Sequence, residues 1–188
     1  MNTKTKTSVL KLTQSAMLAA LSILLMTVVR FPFPAAPFLE YDMADVPILI
    51  GTMLFGPLTG SVILLITSII QAITVSASSG WVGFVMHFVA SGALVIIFGL
   101  IYKKMHNIKG LVLGLLAGSV AMVIIMIPLN LLLTGYFMGT PIDAVKSMIV
   151  PILIPFNAMK AGINSVVSAL VFIPLNKVLE KTKLVAKN

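Results

Sequence analysis

Cysteine is missing from this chain and charge is scarce: 13 Lys and Arg and only five Asp and Glu stand among 188 residues. Without a thiol there is no disulfide, no thiolate nucleophile and no cysteine-ligated metal. A soluble domain carries about 25% charged residues; at 10% there are too few ionisable groups to coat a particle that faces water. Phosphate loops of the G-x-x-x-x-G-K-[ST] type, HExxH and G-x-S-x-G are absent too. The chain therefore has no means of using ATP itself, and no paired nucleophile and base from which to build a hydrolase. Its two histidines, His87 and His106, make no evident metal site. The inverted repeats common in self-sufficient secondary transporters are not visible.

What is abundant is apolar surface: 59% of residues are hydrophobic and the mean hydropathy is +1.12. A membrane-spanning helix needs about 20 such residues, so the length admits roughly six spans in a single transmembrane domain covering residues 1–188. A β-barrel is disfavoured, since its strands alternate in polarity over ~10-residue segments, whereas the runs here are continuous and longer. The net charge of +8 would suit nucleic acid in a soluble protein, but its placement argues against that partner. Lys4, Lys6 and Lys11 precede the first apolar run, Lys103, Lys104 and Lys109 sit in a mid-chain connector, and Lys177, Lys181, Lys183 and Lys187 form the tail. Flanking positions of this kind follow the positive-inside rule, with lipid as the surrounding solvent. An even number of spans with basic ends then puts both termini in the cytoplasm.

The first run extends from Leu12 to Val29; it exceeds the 7–15 residues of a signal-peptide core, so a retained span is expected. Between Phe31 and Asp45, Pro32, Pro34 and Pro37 forbid a regular helix, leaving a Pro-rich outer loop that carries Glu40, Asp42 and Asp45. A short second helix (Val46 to Phe55) breaks at Gly56-Pro57 into a third (Leu58 to about Val75). The second is too short to cross about 30 Å of hydrocarbon and must be tilted or buried among its neighbours. A serine-rich loop, including Ser79, leads to a fourth helix from Trp81 to Tyr102. The fifth runs from Lys109 as far as Phe137, with Pro128 expected to kink it. Residues Met138 to Val150 read as a loop, and the sixth helix as Pro151 to Leu175.

Polar side chains within spans are costly and face the bundle interior or a cavity. Asn157, Lys160, Asn164 and Ser168 follow one another at spacings of three and four, which puts them on one stripe about 16 Å long. Asn130 and Thr134 are one turn apart on the fifth helix. Gln71 and His87 suit interhelical glue, but Lys160 would cost about 2.5–3.5 kcal/mol unpaired at the bilayer centre; an acidic partner from the outer loop would offset this. Asparagine offers donors and an acceptor in one plane and lysine donors only, a set that matches a planar ring edge alternating carbonyl and N–H. Glu40, Asp42 and Asp45 at the mouth would accept hydrogen bonds from hydroxyl groups and repel a phosphate. An uncharged, ring-bearing, polyhydroxylated solute fits best. Small residues at four-residue spacing (Ala16 and Ala20, with Ser15 and Ala19 in parallel; Gly110, Gly114 and Gly118; Ala161, Ser165 and Ala169) allow close helix approach. For the fifth and sixth helices internal packing is expected; the first could serve either its own bundle or a partner.

Four segments in this order resemble the S components, the substrate-binding membrane subunits of energy-coupling-factor (ECF) vitamin transporters, and among them the riboflavin-specific group: Ala16-Met-Leu-Ala-Ala20, Glu40-Tyr-Asp-Met-Ala-Asp-Val-Pro47, Gly56-Pro-Leu-Thr-Gly60 and Pro155-Phe-Asn-Ala-Met-Lys-Ala-Gly-Ile-Asn164. The resemblance implies a six-helix, non-enzymatic subunit of the cell membrane. It would have no cofactor of its own, and would work with a transmembrane coupling protein and two cytoplasmic ATPases. It implies that Ala16 and Ala20 contact the coupling protein, and that riboflavin sits in the outer half. There Asn130, Lys160 and Asn164 would address the ring edge, with Asn157 and Thr134 nearby, and Glu40, Tyr41, Asp42 and Ser79 would line the loop side. A self-sufficient transporter of another small polar solute, and a ligand-free structural protein, remain the alternatives.

Overall fold

The computed structural model describes residues 3–182; Lys183 and Lys187 of the basic tail lie outside the described residues, as do the side chains of Lys4 and Lys6. Helix α1 (Thr3–Val28) leads into a two-stranded antiparallel hairpin, β1 (Arg30–Phe33) and β2 (Ala36–Asp42), followed by α2 (Asp45–Phe55), α3 (Pro57–Ile73) and α4 (Gly80–Met105). Then come α5 (Ile108–Leu129), a π-helical turn (Asn130–Thr134) and α6 (Gly135–Met138). Helix α7 (Ile142–Met148), a second π-helical turn (Ile149–Leu153) and α8 (Ile154–Thr182) complete the described residues. Among the described residues the protein is an α-helical bundle with one small hairpin.

Two expectations need correction. The outer loop is not irregular: Arg30 pairs with Asp42, Phe31 with Tyr41 and Pro32 with Glu40, and the register shifts between Pro32 and Phe33. Prolines exclude helix but are tolerated in edge strands, and both strands of a two-stranded sheet are edges. Nor is Met138 to Val150 a loop. The chain turns at Gly139 (φ 63°) and re-enters helix at Ile142, directly after Pro141, so the sixth helical segment starts nine residues earlier than Pro151. Buried Val145 anchors it. Asp143 and Lys146 pair at 2.9 Å on its exposed side.

Among the described residues four helical segments are long and apolar enough to cross a membrane: Ser8–Val28, Gly80–Met105, Ile108–Met138 and Ile142–Leu179. Their outward faces are apolar as well. On α5, Leu113, Leu116, Val120 and Ile124 are exposed while Leu111, Leu115, Met122 and Met126 are buried, the all-round hydrophobicity of a helix that meets lipid. Helix α2 is only 11 residues long, about 16 Å, and ten of these are buried; it sits inside the bundle. Gly56 (φ 86°) makes the turn into α3, whose first residue is Pro57. The glycine repeat of α5 packs on α4: a Cβ on Gly114 would lie 2.9 Å from the Phe98 ring, and one on Gly118 would lie 2.8 Å from the Leu94 carbonyl. Pro128 removes the bond that Ile124 O would accept, and the π-helical turn begins two residues later.

A candidate substrate site beneath the hairpin

The end of β2, the start of α2 and the middle of α8 meet in a buried polar cluster. Strand alternation turns Leu39 and Tyr41 inward and Glu40 outward, so the strand brings Tyr41 and the following Asp42 onto α8. Lys160 Nζ donates to Asp42 Oδ2 at 2.8 Å, and both side chains are nearly inaccessible. Asp42 Oδ1 accepts the Ala44 N–H at 3.0 Å. One turn along α8, Asn164 Nδ2 donates to Asp42 O (3.1 Å) and to Asp45 Oδ2 (3.4 Å), and its Oδ1 accepts from the Tyr41 hydroxyl at 2.9 Å. Burial, and then the adjacent Asp42 carboxylate, raise the Tyr41 phenol above its ordinary value, so it stays an O–H donor. Ser168 donates to Asn164 O at 2.6 Å and reaches Val46 O at 3.5 Å. On the far side of Asp45, His87 joins Asp45 Oδ1 (3.3 Å) to Ser68 Oγ (3.2 Å), tying α2, α3 and α4 together.

The structure therefore joins Tyr41, Asp42, Lys160 and Asn164 directly. Asn130 and Thr134 are buried but bonded to each other (2.8 Å) and to Met126 O (2.7 Å). Asn157 donates to Leu153 O at 2.7 Å. Asn130 opens one π-helical turn and Asn157 lies one helical turn beyond the other; this irregularity is common at functional sites. Glu40 stands apart, bonded to Arg30 at the surface, and Arg30 also reaches Ser76 Oγ at 3.1 Å. Ser79 caps its own loop through Ser76 O (2.9 Å) and has no shown bond to the cluster. Asp42 and Asp45 are not at the mouth with Glu40: they are 3% and 1% exposed and their oxygens are engaged. His87 bridges helices as expected, whereas Asp45, bound by His87 and Asn164, is the residue that the sequence places with the outer acids. The signal was present, since an ionisable pair inside apolar helices is a functional hypothesis by default.

Volume and chemistry point to opposite ends of the molecule. A half-open cavity of about 1120 Å³ lies at the other end, lined by Lys11, Phe55, Tyr102 and Lys103 among others, and shares no residue with the polar cluster. The cluster is the candidate substrate site, because specific recognition needs converging donors and acceptors against apolar walls. The charged residues lining the cavity are all basic.

Residues 10–172 match the family described as "ECF transporter, substrate-specific component". The chain belongs to that family. It is 35% identical over 182 residues to the riboflavin transporter FmnP of Bacillus subtilis, covering 92% of this chain and 95% of that one. It is 30% identical over 195 residues to the riboflavin transporter RibU of Lactococcus lactis, covering 90% and 93%. A solved structure described as the S component of a bacterial ECF transporter superposes with a TM-score of 0.78 at 29% identity, over 90% of this chain and 96% of that one. The chain is thus a substrate-specific component of an ECF importer and a multi-pass protein of the bacterial cell membrane.

Proposed function

We propose that this S component captures riboflavin from outside the cell and releases it inward in complex with a coupling protein and two ATPases. The observation that carries the reading is the Tyr41–Asn164–Asp42–Lys160 network, buried under the hairpin, in a chain whose relatives are riboflavin transporters. A primary amide has two donors and one acceptor oxygen with two lone pairs. The bonds shown engage one N–H of Asn157 and one N–H and the Oδ1 of Asn130, leaving capacity for the alternating carbonyls and N–H of a flavin ring edge. Lys160, fixed by Asp42, presents its remaining donors, and Asn164 holds both the hairpin and α2 in register. Glu40, Tyr41 and Ser79 stand on the side where the ribityl chain would lie. The subunit binds and delivers and does no chemistry. Four long and two short apolar helices form six membrane-embedded segments with both termini in the cytoplasm, and the hairpin faces outward.

In this reading Ala16 and Ala20 face the coupling protein. Both are exposed, whereas Ala19 and Ser22 are buried: one small-residue register of α1 is used internally and the other is left outside. The deciding experiment is flavin fluorescence titration of the purified chain. Saturable quenching is expected in the wild type. Asn164→Leu should bind about a hundredfold more weakly, from two or more hydrogen bonds at roughly 1.5 kcal/mol each, while still inserting into membranes. Unchanged affinity would remove Asn164 from the site, and no quenching in the wild type would refute riboflavin.

A further inference from the structure

The cavity at the basic end has no part in substrate capture as described above. It lies between the last turns of α4 and α8, the α2–α3 corner and the N-terminal part of α1. Its charged lining residues are Lys11 and Lys103, with His106 beside them, while four of the five carboxylates in the chain (Glu40, Asp42, Asp45 and Asp143) belong to the opposite end. Lys11 holds its ammonium 5.9 Å from the centre of the Phe55 ring, which keeps a cation over the cavity wall. The rim is apolar on one side: Leu58, which also lines the cavity, is 83% exposed. Cations lining a cavity beside an apolar lip at the end of the spans suit a ligand with an anionic head and a hydrocarbon tail. A fully water-soluble anion would gain nothing from the lip.

We infer that this cavity seats the phosphate headgroup of an anionic glycerophospholipid of the inner leaflet, with Lys11 and Lys103 as its principal cations and an acyl chain lying over Leu58. The inference rests on the orientation proposed above and not on the identity of the solute, so a failure to bind flavin would leave it standing.

The test is native mass spectrometry of the full chain in detergent, exchanged against mixed micelles of phosphatidylglycerol or of phosphatidylcholine. One phosphatidylglycerol should remain bound at concentrations where phosphatidylcholine is lost. K11Q/K103Q should bind it about thirtyfold more weakly, taking roughly fivefold per lysine near an anionic lipid, with flavin affinity unchanged as the sign of a folded chain. Lys103 is exposed, so K103Q alone should fold and lose about fivefold. Equal retention of the two lipids, or unaltered binding in both variants, would overturn the site. Displacement of the lipid by millimolar inorganic phosphate would overturn the lipid assignment in favour of a soluble phosphate.

Discussion

Replacing Lys160 by methionine leaves the Asp42 carboxylate buried without its counter-charge. At 2.8 Å the two charges attract by about 6 kcal/mol at an effective dielectric constant near 20, much of which is offset by several kcal/mol of desolvation for each ion. The net worth of the pair is therefore small, but removing one partner exposes the full penalty of the other, about 3–5 kcal/mol. For a chain of this size that corresponds to a fall of roughly 6–20 °C in melting temperature, read by thermal unfolding in detergent. The double variant Asp42→Leu/Lys160→Met should recover most of the loss, since two apolar side chains replace a pair that roughly broke even. Flavin binding should not return with it, because the ring edge has lost a donor. A single variant within about 1 kcal/mol of wild type, or a double variant as unstable as the single one, would refute this account.

Arg30→Gln removes the tie from the hairpin to Glu40 and Ser76; stability should change by less than about 1 kcal/mol because Glu40 is exposed, whereas flavin should dissociate faster in stopped-flow fluorescence. An unchanged dissociation rate would show that this tie does not restrain the hairpin. Gly118→Ala drives a methyl group against the Leu94 carbonyl and should cost about 1–3 kcal/mol by overpacking, seen as a lower melting temperature with affinity preserved. Ala16→Trp should spare flavin binding and abolish uptake in cells that supply the ATPases, by blocking close helix approach; uptake at the normal rate would free α1 from the docking role.

Much of this organisation is written in the sequence because lipid makes polarity expensive. Lys160 could not stand unpaired in a span, and the nearest acids are in the segment that folds over it; Asp42 is that partner. The shortness of α2 and its corner at Gly56-Pro57 were legible for the same reason. The hairpin was not: its strands are short, and the three prolines that exclude helix mask the alternation of Leu39, Glu40 and Tyr41. Helix α7 was hidden by Thr140-Pro141 and by Asp143 and Lys146, which read as loop until Pro141 is seen preceding the first turn and Val145 is seen filling the interior. Asp45 stands three residues from Asp42 and so reads, in sequence, as one more acid of the outer loop. Only the packing of α2 against α3 and α4 shows that it belongs with His87 and Ser68.

Because Lys160 carries its own counter-charge, the centre of the proposed site adds no net charge of its own through the Asp42–Lys160 pair. A lone charge displaced across the full membrane potential does work of about 2.3 kcal/mol per 100 mV; a pair of opposite sign moving together does none. If inward delivery displaces hairpin and α8 as one unit with an uncharged solute, this pair gives the step no voltage dependence. The membrane potential then does no net work on this pair, whichever way the unit moves.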